Sequence, residues 1–413
     1  MKLSEIREIA QSQRKRLEGS DLGLPRESLA TLPDIVSHAL IVSGIRRCGK
    51  STILHQFTKR IGKPYFYFNF DDLRLSAFSV PDFGLLDAII AESGDSFIFF
   101  DEIQSAPNWE LYVRQKLDER FQIIITGSNS SLLGGELGTK LTGRHITKEL
   151  YPFSYSEFLD FSKASRSLQT LEKYLESGGF PEYLKTGNED ILVQLQQDIL
   201  YRDVAVRYGI RDIASLKRLL TYLISNAGHL VSPSKLTGTI GVKSPSTVLE
   251  YFSHLETSYL IHQVPRFAWS AKAQSLAPKK VYIVDPGLAR TGSLSFSPDT
   301  GSRLENFVFL EYRRRTDDIY YFGEGDRECD FIVNPHGGKP LCVQVCWTLT
   351  KDNEEREIAG LVSALDFFGL SEGFIITADT SDTILINGKT IRVVPAHKDS
   401  APNHWQASAT VRT

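Results

Sequence analysis

The chain of 413 residues has few of the features that mark secreted or membrane proteins. Its four cysteines have no paired metal-site spacing, and such sparse use is typical of a reducing cytosol. No apolar run approaches the roughly 18 residues of a membrane helix. The charged, amphipathic start of the chain does not have the pattern of a signal peptide. These absences predict a cytoplasmic protein without a membrane partner.

The sequence also has no excess of positive charge. Its formal net charge is −3, with 41% hydrophobic and 23% charged residues, which is ordinary for a globular protein. Any contact with nucleic acid must therefore use a local basic patch and not the whole surface. The length exceeds one ordinary domain and predicts about two to four of them.

One phosphate-binding loop is present. Residues 44–51 have the sequence Gly-Ile-Arg-Arg-Cys-Gly-Lys-Ser, between a strand-like apolar run and a helix-like run. The glycines let backbone N–H groups surround phosphate, Lys50 brings charge to the β- and γ-phosphates, and Ser51 offers a hydroxyl to Mg²⁺. The predicted nucleotide-binding residues are Gly44, Arg47, Cys48, Gly49, Lys50, Ser51 and Thr52.

A pair of carboxylates predicts that the bound nucleotide is hydrolysed. Residues 96–102 form an apolar run that ends in Asp101 and Glu102, as expected for a strand with acidic side chains at its carboxyl end. Asp101 would orient Mg²⁺ through its waters, and Glu102 would activate the attacking water as general base. An ordinary acidic strand end is the alternative, but the spacing of about 50 residues from the phosphate loop favours the catalytic interpretation.

Two further catalytic candidates follow the sheet. Asn129 comes after the next apolar run and could orient the attacking water, with Ser128 and Thr126 as alternatives and a helix cap as the structural explanation. Arg144 could reach the γ-phosphate of a neighbouring subunit as an arginine finger, or it could pair locally on the surface. If Arg144 acts in a neighbour's site, the active species must be an oligomer.

Seven short stretches, spread along the chain, form a recognisable set: GIRRCGKST, FIFFDE, ITGSN, LTGRHITKELYPFSYSEFL, GGFPEYL, ILYRDV and KKVYIVDPGLA. Together they resemble the prokaryotic AAA-family ATPases that carry a C-terminal DUF4143 domain. The resemblance implies an α/β P-loop core of the AAA/RecA type, a helical lid, a winged helix and a second α/β domain related to PD-(D/E)xK nucleases. It also implies ATP as the nucleotide and a ring, favoured as a hexamer.

The pattern of apolar runs agrees with this organisation. Between 37 and 150, buried strand-like runs alternate with helices, which favours a mostly parallel sheet. Three helical segments and a short alternating stretch then have the order of a winged helix, before strands return near 281. The predicted division is 1–30 N-terminal helix and linker, 31–150 ATPase core, 151–212 helical lid, 213–270 winged helix, 281–396 nuclease-like domain and 397–413 tail.

The nuclease-like domain departs from the pattern that the resemblance implies. Such a nuclease needs a helix Glu, a strand Asp and a Glu-x-Lys, because the acids hold Mg²⁺ and the lysine steadies developing charge. Glu305 and Asp330 fit, but Gln344 and Cys346 replace the Glu and the Lys. Gln is a weak ligand for a hard cation and Cys carries no positive charge. We expect a binding or assembly module without nuclease activity, with Lys351 as the alternative lysine.

The predicted winged helix is only weakly basic. Across 213–263 the basic residues exceed the acidic ones by two, and the presumed recognition helix at 244–257 has no Lys or Arg. Backbone or junction binding is therefore favoured over sequence-specific readout. Ser244, Ser246 and Thr247 at the start of that helix could meet phosphate. Other basic residues that could contribute are Lys217, Arg218, Lys235, Lys243, Lys272, Lys279, Lys280 and the arginines at 313–315, although surface arginines in a row are more often a solvated face than a nucleic-acid site.

The sequence thus predicts an oligomeric, Mg²⁺-dependent ATPase that acts on DNA. The alternative is a nucleotide-gated switch or scaffold that binds a protein partner. An active ATP-dependent nuclease is a third reading, which Gln344 and Cys346 weaken.

Overall fold

The computed structural model describes residues 1–33, 35–128, 141, 143–293 and 299–398. The chain divides into two compact units, Met1–Phe153 with Thr257–Tyr259, and Ser154–Glu256 with the residues from Leu260 onward. Among the described residues, no helix is long and apolar enough to cross a membrane.

The first unit contains a five-stranded parallel sheet with strand order β2-β3-β4-β1-β5. Its central strands are continuous apolar runs because helices cover both faces. The predicted α/β class is confirmed, and the five strands all lie within the span 37–150 in which strand-like runs were predicted. The elements are α1 (Leu3–Glu18), α2 (Glu27–Ala30), β1 (Ala39–Ser43), α3 (Lys50–Ile61), β2 (Tyr65–Asn69), α4 (Phe83–Ser93), β3 (Phe97–Asp101), α5 (Trp109–Asp118), β4 (Gln122–Gly127) and β5 (His145–Glu149).

Helix α1 belongs to the core of this unit. Its many charged residues predict a polar helix, but one face is apolar and packs against β2 and α4. Ile6, Ile9 and Ala10 are buried in the same cluster as Phe66 and Phe68 of β2. The spacing of three and four residues places these apolar side chains on one stripe of the helix.

The second unit begins with helices. These are α6 (Tyr155–Ser162), α7 (Leu168–Ser177), α8 (Pro181–Thr186), α9 (Asp190–Asp198), a π-helical segment Ile199–Val206, and α10 (Ile213–Ser225). A three-stranded antiparallel sheet of order β6-β8-β7 follows. Its elements are β6 (Leu230–Val231), α11 (Pro233–Ile240), α12 (Pro245–Thr257), β7 (Ile261–Val264), α13 (Ala271–Leu276) and β8 (Lys279–Ile283).

Strand β8 corrects two expectations. The short alternating stretch after the three helical segments, 260–267, was expected to form the hairpin of the winged helix. It contains only one strand, β7, which pairs with β8 beyond residues 265–278. The strand near 281, expected to open the nuclease-like domain, instead lies between β6 and β7 in the small sheet. Strand pairing depends on residues distant in the chain, which periodicity alone does not reveal.

Asp285 joins two of the stretches that carry the family resemblance. It caps the following helix, α14 (Pro286–Gly292), at the Leu288 amide (3.1 Å) and accepts a hydrogen bond from the Gly179 amide (2.7 Å). Burial raises its pKa to about 6. A Cβ on Gly178 would overlap the Asp285 carboxylate. The GGFPEYL and KKVYIVDPGLA stretches are therefore two sides of one contact.

A six-stranded mixed sheet of order β13-β14-β12-β11-β10-β9 completes the second unit. Its strand β13 was not predicted, although the Asn387-Gly388 pair after it, with φ of 51° and 73°, is a hairpin signal. The elements are α15 (Thr300–Arg313), β9 (Ile319–Glu324), β10 (Arg327–Val333), β11 (Leu341–Val345), α16 (Glu354–Phe368), β12 (Glu372–Thr377), β13 (Asp382–Ile386) and β14 (Lys389–Pro395).

Candidate nucleotide-binding and hydrolysis site

Three neighbouring strands of the first unit bring the predicted site together. Strand β4 lies between β1 and β3, and all three run in parallel. The phosphate loop leaves β1, Asp101 ends β3, and Thr126 lies near the end of β4. Since the carboxyl ends of parallel strands share one edge of a sheet, the motif residues meet there.

The conformation of the phosphate loop requires its glycines. Gly44 has φ of 150°, and a Cβ at this position would overlap the carbonyl oxygen of Leu150. That close approach is fixed because the Leu150 amide donates to the Ser43 carbonyl (2.7 Å). Gly49 has φ of 103° directly before α3 begins. Both glycines therefore have a steric reason that does not depend on the nucleotide.

Lys50 holds its charge at the centre of the loop. Its Nζ donates to the carbonyl oxygens of Gly44 and Ile45, at 3.1 Å each, and lies 3.7 Å from Glu102 Oε1. The side chain is only 5% exposed. A buried ammonium that bonds only loop carbonyls and faces one carboxylate is placed to exchange these contacts for phosphate oxygens.

Asp101 is buried and bonded by three hydroxyl groups. It accepts hydrogen bonds from Ser51 Oγ (2.7 Å), Tyr67 Oη (2.9 Å) and Thr126 Oγ1. Burial raises the pKa of Asp101 and the neighbouring Glu102 adds to the shift, while the three hydroxyls oppose it. The structure brings together Ser51 and Asp101, the two predicted magnesium residues, and oxygen donors of this kind suit a hard cation.

Glu102 is held in a rare backbone conformation. Its φ of 48° is left-handed, which costs a non-glycine residue about 1–3 kcal/mol and is found most often at functional sites. Its amide donates to Thr126 Oγ1 (3.0 Å), and its carboxylate accepts from Gln104 Nε2 (2.5 Å) and the Ser128 amide (3.3 Å). Burial works against its ionisation, but Lys50 and Gln104 outweigh burial and lower its pKa. Glu102 is thus an ionised carboxylate, as a general base requires.

Two residues outside the motifs, Arg26 and Gln56, stabilise the phosphate loop and the segment that precedes β1. The buried Arg26 donates to the carbonyl oxygens of Cys48 (2.8 Å) and Tyr151 (2.7 Å), and its guanidinium lies 5.1 Å above the Phe153 ring. Gln56 of α3 accepts from the Arg26 amide (3.1 Å) and holds the preceding segment. These contacts join elements far apart in the chain, so no local pattern announces them.

The other predicted residues fall outside this cluster. Asn129 lies outside the described residues. Arg144 lies at the amino ends of the strands, whereas the phosphate loop lies at their carboxyl ends. Its carbonyl accepts from the Ala39 amide (3.1 Å), and its guanidinium pairs with Asp118 (2.8 Å). The length of strand β1, roughly 16 Å, separates the two ends. Arg47 is exposed and Cys48 is buried.

Comparisons with known proteins find two family models that match parts of this chain. A family model described as "AAA domain" matches residues 36–159, and one described as "Domain of unknown function (DUF8612)" matches residues 168–299. The expected DUF4143 domain is not confirmed by these matches.

Two curated relatives match most of the chain. "Uncharacterized protein MJ1544" of Methanocaldococcus jannaschii is 33% identical over 350 residues, which are 79% of this chain and 78% of that protein. An "Uncharacterized protein" of Haemophilus influenzae is 30% identical over 338 residues, which are 77% of this chain and 84% of that protein.

Among solved structures, the Thermotoga maritima RuvB Holliday junction branch migration motor matches 62% of this chain and 89% of its own. The sequence identity is 16% and the TM-score is 0.28. A TM-score this low supports no functional argument.

Proposed function

This chain belongs to the family of AAA-domain proteins that includes MJ1544, and from that premise we propose that it is a Mg²⁺-dependent ATPase. The observation that carries the proposal is the cluster in which Ser51, Asp101, Thr126 and Glu102 are bonded beside Lys50. A Gly-rich turn without catalysis would not need a second carboxylate, ionised and held in a strained conformation 3.7 Å from the loop lysine.

The roles of the residues follow from their chemistry. Residues 44–52 would hold the phosphates, and Ser51 and Asp101 would hold Mg²⁺, which supplies charge neutralisation for phosphoryl transfer. Glu102 would take the proton of the attacking water. Thr126 fixes the backbone of Glu102 and the carboxylate of Asp101 at once, so it is a positioning residue. Asn129 remains the proposed water-orienting residue.

We further propose that hydrolysis takes place between subunits. Arg144 lies at the sheet edge away from its own phosphate loop, which supports a role in a neighbouring subunit's site. Its partly exposed pair with Asp118 has little stabilising value and is easily exchanged. A ring, favoured as a hexamer from the family resemblance, is the proposed assembly.

DNA is the proposed target. The order α10, β6, α11, α12, β7, α13, β8 with one antiparallel sheet supports this proposal, because it is that of a winged helix whose β7–β8 connection contains a short helix. Two of the expected phosphate contacts are engaged elsewhere. Arg218 donates to the Ile240 carbonyl (2.9 Å) and Ser215 Oγ (2.7 Å), and Lys280 is buried in an ion cluster. Phosphate binding would therefore fall to the remaining lysines and the serines that begin α12.

We propose that the C-terminal sheet is a degenerate nuclease-like domain that does not cleave DNA. The Lys280 ammonium, 2% exposed, lies 3.0 Å from Glu305, 2.8 Å from Glu328 and 2.7 Å from Asp330. Burial opposes its charge, but Asp330 and Glu305 outweigh burial and hold the pKa of Lys280 well above its usual range. The two acids that a metal would need, Glu305 and Asp330, are thus occupied by an internal cation.

The residues at the two lost positions agree with this proposal. Gln344 Nε2 donates to the Glu357 carboxylate (2.7 Å), and Gln344 Oε1 accepts from the Asp330 amide (3.2 Å). Cys346 is buried. Within the described ranges, no group of three or more potential ligands could hold a metal ion. Plasmid incubated with protein and Mg²⁺ or Mn²⁺ should remain intact. Cleavage that disappears in Asp330→Ala would refute this part of the proposal.

Steady-state ATP hydrolysis tests the central proposal. Glu102→Gln should lower the rate at least about 100-fold because it removes the general base without changing shape. Glu92→Gln is the matched control, since Glu92 is an exposed carboxylate on α4 paired only with Arg7. Equal rates for wild type and Glu102→Gln would refute the catalytic assignment.

The same assay, with single-stranded, duplex and four-way-junction DNA added, separates the two functional readings. Several-fold stimulation by one form supports a DNA motor and identifies its substrate. Hydrolysis that no DNA changes favours the alternative, a nucleotide-gated switch that binds a protein partner.

A further inference from the structure

An exposed aromatic platform lies on the connection between β7 and β8. The Trp269 side chain is 74% exposed, and Phe367 of α16 beside it is 43% exposed. Their rings are nearly parallel, with centroids 6.3 Å apart and planes 22° apart. Below them, the buried Phe267 meets the Trp269 ring edge-on at 5.0 Å. The indole is thus supported from one side and open on the other.

The backbone fixes this connection at both ends. The Phe267 amide donates to the Tyr321 carbonyl (2.7 Å), and the Tyr321 amide donates to the Pro265 carbonyl (3.1 Å). The hydroxyl of the same tyrosine donates to the Pro278 carbonyl (2.7 Å). Residues 265–278 are therefore tied to β9, and Trp269 is presented on a fixed support.

The connection that carries Trp269 has no acidic residues. Residues 257–284 contain no Asp or Glu, and their basic residues are Arg266, Lys272, Lys279 and the buried Lys280. On the elements packed against the platform, Asp366 pairs with Lys389 (2.9 Å), whereas Asp318 bonds an imidazole, that of His336 (2.8 Å), and this pair stays negative beside Asp317 unless the histidine is protonated. An open indole on a connection whose charged residues are all basic is an arrangement that binds a base and its phosphate together.

We infer that Trp269 stacks on an unpaired base of the DNA, with Arg266 and Lys272 meeting the adjacent phosphates. The inference rests on the proposed action on DNA and names its substrate class. Because the bases of an intact duplex are covered by their neighbours, an indole face selects single-stranded or branched DNA. A protein partner is the competing occupant, and only an acidic one would share the advantage that the absence of acids gives to DNA.

Binding of labelled DNA to the full chain tests the inference. Trp269→Ala should weaken binding of a dT oligonucleotide about fivefold or more, and binding of a blunt duplex far less. Trp269→Phe should keep most of the affinity, since a phenyl ring also stacks. Leu385→Ala, at another exposed apolar side chain (79%) in the same unit, is the control and should bind as wild type does.

Intrinsic fluorescence supplies a readout of stacking itself. Bound dT should quench the wild-type emission, and the quenching should be lost in Trp269→Phe although binding persists. If wild type binds DNA and Trp269→Ala binds it equally well, this inference alone is overturned. If wild type binds no DNA, the proposed action on DNA fails with it. If Trp269→Ala instead disrupts self-association without DNA, as measured by sedimentation, the surface is a protein interface and the inference is wrong.

Discussion

The buried Lys280 offers the sharpest test of the second unit, because the chain provides its own control in the preceding residue. Lys280→Met keeps the apolar stem and removes the ammonium that bonds Glu305, Glu328 and Asp330. Lys279→Met makes the same chemical change at a partly exposed side chain on the same strand. The difference in the free energy of unfolding between the two variants therefore measures the contribution of the ion cluster.

The expected magnitude follows from the exposure of the partners. Glu328 is 38% exposed on its side chain, so water can replace its contact with Lys280 at little cost. Glu305 and Asp330, at 14% and 8%, would be left as uncompensated buried charges. Removal of one partner from such a cluster costs about 3–5 kcal/mol. A surface substitution such as Lys279→Met should stay within about 0.5 kcal/mol.

Urea unfolding followed by circular dichroism measures both variants. Near pH 8 the midpoint of Lys280→Met should fall by about 2 M relative to Lys279→Met. The gap should narrow towards pH 5, because burial and the neighbouring Asp330 raise the pKa of Glu305 to about 7, so that this acid is protonated at pH 5 and no longer needs a counterion. Equal midpoints at pH 8, or a gap that does not change with pH, would refute the assignment of Lys280 as the internal counterion.

Three further results are expected. Gly44→Ala should abolish nucleotide binding, measured with a fluorescent ATP analogue, because its Cβ overlaps the Leu150 carbonyl, whereas Gly62→Ala, at φ 61° in open space, should cost about 1–2 kcal/mol in stability and still bind. Tyr67→Phe removes the hydroxyl that bonds Asp101 and should raise the Mg²⁺ concentration for half-maximal hydrolysis several-fold; an unchanged Mg²⁺ titration contradicts that role. Asp285→Ala should destabilise most at low pH: the folded pKa of about 6 lies above the ordinary 3.8, so its contribution is complete below about pH 4 and is lost as pH rises through 6. In urea unfolding the cost of Asp285→Ala should be about 1 kcal/mol larger at pH 5 than at pH 7, and the opposite trend would contradict the shift.

The parallel sheet and the catalytic cluster could be predicted because their signals are local. A strand covered on both faces is a continuous apolar run, and the chemistry follows directly where each run ends. Lys50 and Ser51 are identified from fewer than ten neighbouring residues, and Asp101 from its own apolar run together with its spacing of about 50 residues from the phosphate loop. The structure brings them together.

What could not be predicted depends on contacts between distant parts of the chain. Arg26 looks like an ordinary basic residue of a linker until the fold brings it against the Cys48 and Tyr151 carbonyls. Lys280 looked like a residue for DNA and is instead buried among acids from two other elements. Charge in a sequence shows that a group must be solvated or paired, but only the tertiary fold decides which.

The position of helix α1 determines which piece of the chain can fold by itself. The AAA-domain match begins at residue 36, after α1 and after Arg26. Yet Ile6 and Ile9 are buried in one apolar cluster with Phe66 and Phe68 of β2, and Arg26 bonds the Cys48 carbonyl of the phosphate loop. A fragment cut at the conserved-domain boundary would expose this aromatic strand to solvent and leave the loop without its anchor. The AAA-domain match therefore covers less than the segment that folds as one unit.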